Sequence, residues 1–123
     1  MSVISELESL FDDIVEVMNK KAGEQIAEHA GRILMIEIVD LGFRYAIMAT
    51  TKGAVTAEPD RIKPTGRAKM YFDTFRALFE GQLTPKDAMM YGFVVFESET
   101  PIADFIMIDT FLNSIGGAKG LRN

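Results

Sequence analysis

The chain has 123 residues, 48% hydrophobic and 25% charged, with nine Phe, three Tyr, one His and no Cys. Such a chain holds one domain with a core of its own, and its aromatic content excludes a disordered chain. The missing Cys excludes disulfides, thiolate metal sites and cysteine nucleophiles, and a lone His29 removes most zinc and Ser-His-Asp chemistry. The net charge of −5 is placed unevenly: residues 1–31 hold seven acids and two bases, and the rest of the chain holds eleven of each. An acidic chain is a poor partner for nucleic acid. The sequence has no apolar run of the roughly 18 residues a membrane span needs and no basic-then-apolar opening of a signal peptide. A cytoplasmic location is expected.

In chain order, residues 2–19 predict a helix, capped by Ser2 or Ser5. Its stripe of Val3, Leu7, Leu10, Phe11, Ile14 and Met18 falls at spacings of three and four, with the acids opposite. Residues 23–31 predict a short helix or a loop. The period then changes to two. Residues 32–39 are apolar on both faces and predict a strand covered on both sides. Asp40-Leu41-Gly42 makes a hairpin loop into a second strand at 43–50. A third strand is expected over 54–63, at an edge or broken by Pro59. Residues 66–80 predict an amphipathic helix capped by Thr65 and stopped by Gly81. Thr84 and Pro85 open a short helix that ends at Gly92. Phe93–Phe96 predicts a fourth strand. Pro101 starts a final helix, about 101–115, that is apolar almost all round and so needs cover on most sides. Residues 116–123 are expected to be a flexible tail.

This order predicts an α+β fold for a single domain over 1–123: an antiparallel-rich mixed sheet of four to five strands with helices packed on it. At residues 75–94 a finer pattern stands out. Phe75, Leu78, Gly81, Leu83, Pro85, Ala88, Gly92 and Val94 place a helix stop, a leucine-x-proline turn, a short helix and a glycine before a strand. This stretch resembles the signature of the sterol carrier protein type 2 family. Where that family usually turns with Gly-Asp after its strand, this chain has Ser98-Glu99.

The resemblance implies a non-catalytic protein that binds fatty acids, acyl-CoA, sterol-like lipids or phospholipids in an apolar tunnel between sheet and helices. The tunnel wall is assigned to Met48, Phe72, Phe75, Phe79, Met89, Met90, Phe93, Val95, Phe105, Ile108, Phe111 and Leu112. Flexible, polarisable methionines, eight in all, suit a wall that accepts varied tails. Arg61, Lys63, Arg67 and Lys69, in a stretch without acids, are assigned to an anionic headgroup, a CoA phosphate or a transient contact with an anionic membrane. The alternative is an interaction module of the same fold with a filled core, whose last helix forms a homodimer or docks a partner. An enzyme using Asp104 or Asp109 is disfavoured, since no nucleophile–base pair accompanies either. His29 beside Glu28, and Asp12-Asp13 with Glu16, read as surface groups. No cofactor and no metal is expected.

Overall fold

The computed structural model describes residues 3–122. The first helix, α1, spans Val3–Ala27 and buries Leu7, Phe11, Ile14 and Met18, leaving most of its acids in water. A break at Ala22 divides it, so the short helix expected after residue 23 is its second segment. Ser2 lies outside the described residues, and Ser5 sits inside the helix and not at its cap.

Strands β1 (Ile33–Ile38), β2 (Phe43–Thr50) and β3 (Gly53–Ala57) form an antiparallel meander. The third strand stops before Pro59 and lies at an edge, as the missing proline donor requires. A fourth strand, β4 (Gly66–Met70), pairs parallel to β1, and β5 (Val95–Ser98) pairs antiparallel to β4. The sheet order is β3-β2-β1-β4-β5, the antiparallel-rich mixed sheet predicted, with five strands.

Residues 66–70 correct the sequence reading. They were expected to open a helix, because Ala68, Tyr71 and Phe72 fall at helical spacing. The same residues also alternate: Gly66, Ala68 and Met70 are buried, while Arg67 and Lys69 point to the other face. Ladders on both sides of β4 decide for the strand, since pairing outweighs weak local propensity. The helix itself, α2, is only Phe72–Phe79, and its Phe72 N–H donates to Asp40 Oδ1 at 2.9 Å. Helix α3 (Pro85–Met90) is capped as expected, with Asp87 N–H donating to Thr84 Oγ1 at 3.1 Å. Gly81 and Gly92, at φ of 77° and 76°, stop α2 and α3 in the left-handed region that favours glycine. The Phe93–Phe96 strand is shifted to β5, because Val94 N–H still turns back to Ala88 O.

All the α-helices pack on one face of the sheet. Phe43, Tyr45 and Ile47 of β2 and Leu34, Ile36 and Ile38 of β1 point to it. The connection from β3 to the parallel β4 must cross β2 and β1, and it runs over the opposite face, where Asp60 pairs with Arg44. That cover accounts for the burial of Met35 and Ala46 on the side away from the helices. The two-sided burial predicted for residues 32–39 therefore holds.

The last helix, α4, spans Pro101–Arg122. The expected tail is thus corrected: residues 116–122 continue the helix, because α4 keeps packing on α1. Ala118 is fully buried, and Gly117 sits so close to α1 that a Cβ there would lie 2.8 Å from Val17 Cγ1. Gly116 faces open space. The two neighbours should therefore respond oppositely to the same change. Gly116→Ala is expected to gain about 0.5–1 kcal/mol from helix propensity. Gly117→Ala is expected to lose about 1–3 kcal/mol because Val17 must shift. Urea unfolding of both variants checks the pair.

Candidate functional site

Two apolar grooves open on the helical side. The first, about 500 Å³, lies between α1 and α2 and is lined by Val3, Leu7, Leu10, Phe72, Phe75 and Phe79. Its polar rim is Glu6, Arg76 and Glu80. Arg76 pairs with Asp73 at 3.3 Å, and Lys119 of α4 pairs with Glu80 at 2.8 Å while standing 5.9 Å from the Phe79 ring centre. The second groove, about 590 Å³, lies between α3 and α4. Pro85, Met89, Met90, Phe105, Ile108 and Leu112 form its walls, with Lys86, Asp109 and Asn113 at the rim. Asn113 Nδ2 donates to Asp109 O at 2.8 Å, and Lys21 of α1 donates to Asn113 O at 2.7 Å.

The start of α4 is fixed by a buried carboxylate. Asp104 is 2% exposed. Thr65 Oγ1 approaches its Oδ1 at 2.8 Å, Ser98 Oγ donates to Oδ2 at 2.6 Å, and Thr100 Oγ1 lies 3.2 Å from Oδ2. Arg32 stands 3.8 Å away and donates to Thr100 Oγ1 at 2.7 Å. A buried carboxylate is tolerated when hydroxyls and a guanidinium satisfy it. Ser98 thus ties the end of β5 to the start of α4.

A second polar contact ties α1 to the sheet. The Tyr45 phenol donates to Asp12 Oδ1 at 2.6 Å and meets the Thr56 hydroxyl at 2.6 Å. It borders a polar cavity of about 620 Å³ at the start of β2 and the end of β3. Burial first, then the Asp12 hydrogen bond, hold its pKa well above the ordinary 10.0.

The twelve apolar residues named from the sequence separate into five places. Phe72, Phe75 and Phe79 line the α1–α2 groove, and Met89, Met90, Phe105, Ile108 and Leu112 line the α3–α4 groove. Phe111 is core, fully buried against Phe11. Met48 and Val95 lie on the sheet face turned from the helices, opposite Ile33 and Lys69, and Phe93 is exposed before β5. None of these last three borders either groove. An apolar side chain at alternating strand positions reads alike for either face, so the sequence did not separate them. Leu7 and Leu10 were missed as lining residues because their stripe reads as core. Their signal was that Leu10 lies at the edge of the α1 stripe.

The four bases gather at neither groove. Arg61 and Lys63 lie on the crossing connection, and Arg67 and Lys69 project from β4 on the face away from the helices. Lys69 pairs there with Glu97 at 3.7 Å. Among the described residues, no group of three His, Cys, Asp or Glu can hold a metal ion, and no helix is long and apolar enough to cross a membrane.

A five-stranded mixed sheet carrying its helices on one face, with apolar grooves between them, defines the α+β fold of sterol carrier protein 2 domains. Solved structures bear this out. The chain is similar to a UbiJ-SCP2 ubiquinone synthesis protein, with a TM-score of 0.61 and 9% identity over 87% of this chain and 96% of that one. It is similar to sterol carrier protein domain 2 of Helicoverpa armigera, at 0.58 and 17% identity over 86% and 85%. It is also similar to a sterol carrier protein 2, at 0.56 and 16% identity over 90% and 94%. No protein-family model and no curated protein sequence matches it. The likeness at these identities is one of fold.

The raised Tyr45 pKa has a consequence for stability. The folded state holds the phenol proton more tightly than the unfolded chain, so the contribution is complete below pH 10 and is lost as pH rises above it. Tyr45→Phe is expected to cost about 1 kcal/mol at neutral pH, because its two partners can turn to water. It should also flatten the loss of stability between about pH 9.5 and 11. Urea unfolding across that range, with the wild type alongside, measures both.

Proposed function

We propose that the chain binds a single-chain apolar lipid, such as a fatty acid or an acyl-CoA, in the groove between α3 and α4, and that it sequesters the ligand without reacting with it. The carrying observation is the wall of that groove. Five of the side chains assigned to ligand binding from the sequence, Met89, Met90, Phe105, Ile108 and Leu112, come together there around about 590 Å³, a volume typical of small-ligand sites. Burying a tail against this wall removes apolar area from water at about 25 cal/mol per Å². Methionines on the α3 side can repack around tails of different shape. Lys86 at the rim offers one positive charge to a carboxylate or phosphate. The fold supports the same reading, since two of its solved neighbours are sterol carrier proteins.

The test is titration with a fluorescent fatty acid. Saturable binding is expected in the wild type. Phe105→Glu, which sets a charge on the groove wall at a half-exposed position, should weaken it by about tenfold or more. Phe79→Gln in the other groove should leave it unchanged. The reverse pattern moves the site to the α1–α2 groove, and no saturable binding in the wild type sinks the carrier reading.

A further inference from the structure

The two edges of the sheet are finished differently. At the β3 edge, Asn19 of α1 stands where a neighbouring strand would. Its Nδ2 donates to Ala54 O at 2.8 Å, and Ala54 N–H donates to its Oδ1 at 2.7 Å. One amide thus takes both outward backbone groups of Ala54, which withholds them from any incoming strand. Gly53 makes room for it, since a Cβ there would lie 2.6 Å from Asn19 Oδ1. The β5 edge has no such guard. Thr65 N–H donates to Ile33 O, so the odd-numbered residues of β4 turn their backbone toward β1. Gly66 and Ala68 then face Ser98 and Phe96 of β5. That leaves the N–H and C=O groups of Val95 and Glu97 pointing away from the sheet. Among the described residues, nothing hydrogen-bonds these four groups.

Register and charge indicate the occupant. An antiparallel copy of β5 that uses all four outward groups is centred on Phe96. Val95 of each copy then lies opposite Glu97 of the other, and Phe93 opposite Glu99. Centring on Glu97 would set like charges face to face, which opposes pairing. Within each copy Lys69 lies beside Val95 and Arg67 beside Glu97, and Lys69 also holds Glu97 at 3.7 Å. The row across the junction therefore reads Lys69, Val95, Glu97, Arg67, the last two from the second copy. No like charges meet in it, and the strand is complementary to itself.

We propose that a second copy of the chain pairs antiparallel with β5 along this edge, joining two five-stranded sheets into one, with a two-fold axis at Phe96. Both helical layers then lie on the same face of the joined sheet. Phe93 and Val95, 51% and 47% exposed, flank the backbone bonds on the other face. The interface is small, so dissociation is expected at about 10–100 μM.

Sedimentation of the full chain over a concentration series tests the proposal. The wild type is expected to pass from monomer to dimer. Val95→Glu sets a carboxylate opposite Glu97 of the other copy and should weaken the dimer about tenfold or more. Adding Glu97→Lys to it turns that repulsion into attraction and should restore the dimer, an outcome that only this register requires. Val95→Pro removes an outward N–H at the first residue of a strand, where proline is tolerated, and should also weaken the dimer. Neither position lines a helical groove, so the circular dichroism spectrum and fluorescent fatty acid binding should stay unchanged in all three. A wild type that stays monomeric up to about 1 mM overturns the proposal. So does a dimer that persists in both Val95→Glu and Val95→Pro, or one that the double variant fails to restore.

Discussion

Four elements meet on one side chain. Phe11 of α1 is fully buried, with its ring centre 5.1 Å from Phe43, 5.0 Å from Tyr45, 5.2 Å from Phe75 and 5.6 Å from Phe111. The first two belong to β2, the third to α2 and the fourth to α4. Aromatic contacts at these distances add to the area each ring buries. The position of α1 on the sheet, the lean of α2 and the depth of α4 therefore all refer to a single ring. The polar ties lie outside it: Tyr45 to Asp12 on one flank, Asp104 with its hydroxyls at the start of α4 on the other.

This arrangement decides where a ligand can go. The centre of the helical layer, between α1 and α4, is filled by Phe11, Phe111, Met107 and Ile115. Apolar grooves remain to either side, between α1 and α2 and between α3 and α4. The sharp division between a rigid centre and looser flanks has a local cause. Helices α2 and α3 are short, at 8 and 6 residues, and too short to stand alone. They are held by a few buried anchors, Phe75 and Leu78 in one and Ala88 in the other. Their remaining apolar side chains, Phe72, Phe79 and Met89, are left partly uncovered as groove walls.

Much of this was legible in the sequence where one period stood alone. The α1 stripe, the β1–β2 hairpin at Asp40–Gly42, the stop at Pro59 and the Thr84-Pro85 cap all read correctly, because each rests on local geometry. Residues 66–70 did not, since five residues satisfy both periods and only their neighbours in space choose between them. Nor did the end of α4: a run with three glycines reads as a tail until Val17 is seen to need the room that Gly117 leaves. The candidate site was half legible. The residue types that line the two grooves were named, but which groove each joins depends on the face it turns to, and spacing alone does not carry that.

The crossing connection between β3 and β4 has a consequence for how the chain assembles. As the chain leaves the ribosome, the β1–β2–β3 meander follows α1 and precedes β4, and one edge of β1 is then a row of unpaired backbone donors and acceptors. Its strand, with Leu34, Met35, Ile36 and Ile38, is among the most apolar in the chain. Exposed edges of that kind pair readily with other chains. Residues 58–65 must be drawn across the sheet before β4 closes the edge, and β4 itself, Gly-Arg-Ala-Lys-Met, has little tendency to form a strand without a partner. The hazard is short-lived by construction: only eight residues separate the meander from the segment that seals it, so the protective strand follows the exposed one out of the ribosome almost at once.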